Sequence, residues 1–177
     1  FEYSYNEPMH NDYFWHQAYG NYPVVGISHQ QAQAFCQWRT LLKNSYKKSK
    51  GKQFVNSFRL PSEAEWEYVA QSGTKRDRFF GIPAEKTCEH GNGYDKTAEQ
   101  EYEFGWRMLP CSDGEPNLSE VGSYMANKFG VFDMLGNVWE WVEDCLNPNW
   151  RHSRGSLDGR PFTDGDCEQR AYRGGSW

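Results

Sequence analysis

Eight tryptophans, eleven tyrosines and eleven phenylalanines stand in a chain whose mean hydropathy is only −0.93. A polypeptide this rich in rings and this poor in aliphatic runs cannot build its interior from long apolar helices and strands. It has to cover irregular backbone with aromatic plates whose indole N–H and phenol O–H groups find partners at the edges. The 17 glycines cluster in short motifs and imply many turns. At 177 residues the chain has the length of one domain with a sizeable core.

Charge removes several function classes. The formal net charge is −5 and no basic stripe runs through the sequence, so no nucleic-acid backbone is expected as partner. The basic run from Lys43 to Lys52 reads as a solvated loop after a helix. No apolar stretch is long enough to span a bilayer, so no transmembrane segment is expected. The five cysteines, Cys36, Cys88, Cys111, Cys145 and Cys167, form no C-x-x-C pair. Four lie in loop-like sequence, where disulfides are useful, and Cys36 sits in a helical pattern as a small buried hydrophobe. That usage points to an oxidising compartment with one odd thiol.

Two helix starts are explicit. Ser28 with Gln31 forms a capping-box pattern, and the helix after it carries Ala32, Phe35, Cys36, Trp38, Leu41 and Leu42 on one expected buried face, ending near Asn44. Ser62 with Glu65 repeats the pattern, with Trp66, Val69 and Ala70 as the apolar stripe and Gly73 as the stop. Residues 1–22 are expected to form an extended, ordered arm, and Pro23 to Ile27 a short strand or strand end. From Thr74 to Gly130 periodicity is absent. The stretch KFGVFDMLGNVWEWVEDC reads as a short apolar segment, a Gly136-Asn137 turn and a Trp-rich strand-like segment, residues 146–168 as a polar loop, and Ala171 to Trp177 as the opening of a last strand.

The blocks PVVGIS…AFCQWRT, FRLPSEAEWEYVA, FGVFDMLGNVWEWVEDC and YRGGSW, in this order, resemble the sulfatase-modifying-factor family, whose members include the formylglycine-generating enzyme. The resemblance implies an α+β, C-type-lectin-like fold, loop-rich and low in regular secondary structure. It further implies one domain over residues 1–177, incomplete at both ends. Within the family, SYNEPM…YFWHQAY.NYPVVGISHQQAQAFCQWRT is similar to the gliding-motility and type IX secretion lipoproteins, which use the fold as a structural part. The later blocks CEHGNGYD, GWRMLPCSDG and GDC…YRGGSW are closer to the ordinary family.

The resemblance also implies two calcium sites of hard oxygen ligands. Asp133, Gly136, Val138 and Glu140 match one, the glycine and valine through their carbonyls, with Asp133 where asparagine is usual. Asn92, Gly93, Asp113 and Glu115 match the other. The family's oxidase holds copper(I) on two cysteines shortly after its GGSW or GGSY motif, since soft thiolates suit that metal. Here Gly174-Gly175-Ser176-Trp177 ends the chain, so copper is expected only with cysteines beyond it, and no catalytic residue is assigned. Cys88 with Cys111 and Cys145 with Cys167 flank two loops and are expected as disulfides; Cys88 and Cys145 as a metal pair is the other reading. The scattered histidines, His10, His16, His29, His90 and His152, are expected as surface or loop hydrogen-bonders.

Three functions follow. One is a non-catalytic module binding protein partners in a cell-envelope assembly of the type IX secretion or gliding-motility kind, periplasmic or outer-membrane-associated. Another is an oxidase acting on a cysteine-containing sulfatase peptide. The third is a lectin-like ligand-binding protein.

Overall fold

The structure, a computed structural model, describes residues 12–74, 81–147, 158–164 and 166–177. Regular elements are few: helices α1 (His29–Ser49), α2 (Glu63–Gln71) and α3 (Lys96–Tyr102), strands β1 (Glu140–Leu146) and β2 (Asp166–Arg173), and 3-10 turns at Gln17–Tyr19 and Ala84–Glu89. The two strands pair in a two-stranded sheet. This is the mixed, loop-rich α+β architecture that the resemblance implies. The chain divides into two compact units, one of Phe1–Gly26, Glu67–Glu140 and Arg173–Trp177, the other of Ile27–Trp66 and Trp141–Tyr172.

Both capping boxes form. Ser28 N donates to Gln31 Oε1 at 2.7 Å while Gln31 N donates to Ser28 Oγ at 3.2 Å. Ser62 N donates to Glu65 Oε2 at 2.8 Å, and Glu65 N returns to Ser62 Oγ at 3.1 Å. Each box satisfies two amides that no helical carbonyl can reach. α1 runs past Asn44 to Ser49 because lysine, serine and tyrosine all tolerate helix, and the true stop is Gly51. With φ at +62°, Gly51 lets Lys52 N reach Lys47 O at 2.9 Å and its own N reach Lys48 O at 3.1 Å, a Schellman ending. The basic run is therefore the last helical turns rather than a loop.

The face of α1 that packs is also not the expected one. His29 and Ala32 are buried, while Phe35, Trp38, Leu41 and Leu42 are exposed, and Cys36 is half-buried. Polar anchors set the rotation of the helix. His29 Nε2 lies 3.1 Å from Val142 O, and Gln33 Nε2 donates to Glu143 Oε1 at 2.8 Å. Thr40 Oγ1 accepts from Phe58 N, and Asn44 bonds both Val55 N and Val55 O. These last contacts satisfy the backbone of the returning segment, which has no sheet partner of its own. His29, expected at the surface, is a core residue edge-on to Trp141.

In the same unit β1 forms the centre. Val142 is fully buried and Cys145 nearly so. The buried carboxylate of Asp144 accepts from Glu63 N and Phe162 N, both at 2.7 Å, and so fixes the start of α2 and the loop before β2. Burial raises its pKa, with the Phe162 amide and the residue's own amide working against the rise. β2 begins at Asp166, inside what reads from sequence as a loop, and ends at Arg173. The expected last strand over Ala171–Trp177 is thus the end of β2 followed by Gly174 and Gly175, both at positive φ.

The other unit carries the aromatic plates. Tyr102 and Phe104 stack at 5.3 Å, Phe104 and Trp106 lie 4.6 Å apart, and Tyr102 meets Trp177 at 5.3 Å. Residues 12–22 form turns around buried Tyr13, whose hydroxyl donates to Pro23 O at 2.6 Å, and Trp15 is exposed, so this part is not an extended arm. The rest of that expected arm lies outside the described residues, as do His10 and His152. Pro23 to Ile27 is not a strand: Pro23 has no N–H to give, and Gly26 turns the chain at φ +70°. α3 has no counterpart in the sequence reading. Its cap is Asp95, whose Oδ1 accepts from Thr97 N at 2.7 Å and Ala98 N at 3.1 Å.

Candidate functional site

The residues singled out for cations all belong to the unit built around Glu67–Glu140. Segments 91–93 and 135–137 run together there. Asn92 and Gly136 form a parallel bridge, and Asn137 N donates to Asn92 O at 2.7 Å. Gly136 N donates to Gly174 O at 2.9 Å, tying the terminal glycine pair to the same point. The approach is so close that a Cβ on Gly136 would sit 1.6 Å from Asn92 O. Gly136 at φ +72° and Asn137 at φ +63° make the tight turn. Asn137, only 2 % exposed, holds Ser119 by a pair of bonds, accepting from its N at 3.1 Å and donating to its O at 3.2 Å.

The two candidate calcium sites therefore share a wall, since Asn92 belongs to one and Gly136 to the other. Asn92 is 1 % exposed; its Nδ2 donates to Asn117 O at 2.6 Å, while its Oδ1 is buried with no hydrogen-bond partner. Asp133 sits in the left-handed region at φ +57°. Its Oδ2 accepts from Gly122 N at 2.7 Å, and its Oδ1 is likewise buried and unpartnered. Val138 and Glu140 are part-buried, Glu140 as the first residue of β1.

Asp113 closes an Asx turn onto Glu115 N at 2.8 Å, and its own N donates to Asp95 Oδ2 at 2.6 Å. Two carboxyl groups thus lie side by side. Burial first, and the neighbouring Asp95 charge next, push the Asp113 carboxyl up to about 6, against the amide of Glu115. Glu115 itself is exposed. Among the described residues no three His, Cys, Asp or Glu side chains converge as a metal cluster, so a cation here would lean on amide and carbonyl oxygens beside one or two carboxylates. Calcium accepts that donor set, and the two buried, unpartnered side-chain oxygens are of the right kind.

Two cavities flank this junction. One of about 250 Å³ is lined by Asn92, Gly93, Arg107, Gly136 and the terminal Gly174–Ser176. The other, about 150 Å³, is lined by His90, Met125, Val131, Asp133, Met134 and others. Sequence reasoning located Asn92, Asp133 and the Gly136-Asn137 turn but missed Asp95 and the Asn137–Ser119 pairing. The signal for Asp95 was present as an Asp directly before a KTAE helix start.

Every cysteine is accounted for. Cys88–Cys111 and Cys145–Cys167 are disulfides with Cα separations of 6.0 and 4.5 Å, and Cys36 is the free thiol. Burial, then the nearby Glu143 charge, raise the Cys36 pKa, and Arg39 only partly offsets them. A metal pair of Cys88 and Cys145 is overturned, since each is bonded to another sulfur. No helix among the described residues is long and apolar enough to cross a membrane.

Comparison with known proteins bears on the family and the fold. The formylglycine-generating enzyme of Streptomyces coelicolor is 29% identical over 157 residues, covering 89% of this chain and 42% of that protein. The inactive C-alpha-formylglycine-generating enzyme 2 of Bos taurus is 26% identical over 175 residues, covering 93% and 44%. The structure of PvdO from Pseudomonas aeruginosa superposes with a TM-score of 0.58 at 28% identity, covering 89% of this chain and 51% of that one. The chain thus spans less than half the length of these two curated relatives. The family described as the sulfatase-modifying factor enzyme 1-like domain matches residues 5–177, and the chain belongs to that family.

Proposed function

We propose that this domain is a non-catalytic structural or protein-binding module of a cell-envelope assembly of the type IX secretion or gliding-motility kind. The observation that carries the reading is the state of the cysteines. Copper(I) oxidase chemistry needs two free thiolates on one metal, and here four sulfurs are held in disulfides while the fifth is a half-buried helical thiol with a raised pKa. The N-terminal similarity to gliding-motility and secretion lipoproteins supports the envelope assignment. Two disulfides suit a periplasmic or outer-membrane-associated location. Chemical crosslinking of intact cells, followed by mass spectrometry of the captured domain, is expected to recover one defined set of envelope partners. Recovery of a sulfatase as the principal partner would contradict the module.

The same proposal includes structural calcium on Asp133, Glu140 and the carbonyls of Gly136 and Val138, and on Asn92, Asp113 and the carbonyls of Gly93 and Glu115. The unpartnered oxygens of Asp133 and Asn92 support it. A second reading, the formylglycine-generating oxidase, is favoured by the cavity against Gly174–Ser176 and by the relatives that carry that name. It requires copper-binding cysteines outside the five of this chain.

A further inference from the structure

The outward face of α1 has no role in the module described above. Phe35, Trp38, Leu42 and Tyr46 recur at steps of three and four residues and so form one row, each between 52 % and 55 % exposed. Leu41, 72 % exposed, widens it, and the Phe35 and Trp38 rings lie 5.6 Å apart. The helix is anchored to its unit through the opposite, polar face, so this row is not turned outward for want of a partner on the other side. Arg39, Lys43 and Lys50 follow one flank of the row and Lys48 the other.

Charge is as polarised as hydropathy. No Asp or Glu occurs between Asp12 and Glu63, while Arg39, Lys43, Lys47, Lys48, Lys50, Lys52 and Arg59 all do. In a chain with 19 cations and 24 acids, this is the longest stretch without an acid, and Arg59 at its end is paired with Glu65 from beyond it. A second copy is a poor occupant, because the two cationic flanks would face each other. A partner protein would need an acidic groove to receive a convex row. A planar surface with an apolar interior and an anionic rim needs no concavity, and an aromatic-rich row between lysines is the pattern that such an interface accepts.

We propose that α1 is a peripheral docking helix for an anionic phospholipid surface, with the Phe35–Trp38–Leu42–Tyr46 row entering the acyl boundary and Arg39, Lys43, Lys48 and Lys50 binding headgroup phosphates. This goes beyond the module's assembly role and does not depend on it. The test is cosedimentation of the purified 177-residue chain with vesicles of phosphatidylcholine alone, and with about one third phosphatidylglycerol added. Binding is expected only to the anionic vesicles and is expected to fall steeply as salt rises from about 0.05 to 0.5 M. Lys43→Gln with Lys48→Gln is expected to weaken it by about fivefold per lysine. Trp38→Ser with Leu42→Ser is expected to weaken it by about tenfold or more. All four positions are solvent-exposed, so an unchanged melting temperature separates a docking defect from a folding one. Absence of binding to either vesicle at low salt would overturn the proposal and leave the face to an acidic protein. Binding unaffected by Trp38→Ser with Leu42→Ser would overturn it as well, as would a dimer in solution that those changes dissolve.

Discussion

Gly136 is where three segments of backbone come closest, and no other residue fits there. A methyl group would lie 1.6 Å from Asn92 O, and the φ of +72° adds strain. Gly136→Ala is therefore expected to cost about 3 kcal/mol or more, or to prevent folding. Gly51→Ala, with a similar φ but open space, is expected to cost only about 1 kcal/mol. Urea denaturation of both variants checks the contrast. Asn137 is the second position of this kind. Asn137→Ala deletes both bonds to Ser119 and leaves that buried backbone amide and carbonyl unpaired, for an expected loss of about 2–4 kcal/mol. If calcium sits at Asp133, EDTA is expected to lower the melting temperature of the wild type and to leave that of Asp133→Ala almost unchanged. Equal melting temperatures with and without EDTA in the wild type would mean that Asp133 only bonds the Gly122 amide.

Helix starts were the most legible elements, because a capping box is written in four consecutive residues and owes nothing to tertiary packing. The Glu65 box is joined to Arg59 at 2.6 Å, and that partner, then the Ser62 amide, hold the Glu65 carboxyl down at about 2. A depressed carboxylate contributes stability that is present above its unfolded value of about 4.3 and lost as pH falls towards 2. Wild type and Glu65→Gln are thus expected to differ by at most about 1 kcal/mol at pH 7, since the pair is solvent-screened, and to converge between about pH 4 and 2. A gap that persists at pH 2 would place the effect elsewhere. The rotation of α1 was not legible. Its apolar spacing suggests one buried face, but hydrogen bonds from Gln33, Thr40 and Asn44 to distant backbone and side chains decide the other. β2 was hidden too, because its first half is exposed and carries no alternation to read.

At the scale of the whole molecule, the fold class was legible through four ordered motifs and an aromatic-rich, low-hydropathy composition, whereas the junction of Asn92 with Gly136 was not, since no sequence period links positions so far apart. The disulfides replace much of the order that regular structure would supply; loops of 22 and 23 residues closed this way are each worth about 3 kcal/mol. Alkylation of the denatured, unreduced protein is expected to label Cys36 alone, and labelling of all five cysteines would remove both staples and the oxidising compartment. The same sulfur inventory bears on activity, because a thiol on α1 and four sulfurs in disulfides cannot present a copper-bound thiolate pair to a substrate cysteine. The direct measurement is mass spectrometry of a Cys-x-Pro-x-Arg peptide incubated with this chain and copper(I) in air. A peptide that shows no mass change to the aldehyde is the expected result; conversion of its cysteine to formylglycine, abolished by replacing any one of these five cysteines, would contradict the non-catalytic assignment.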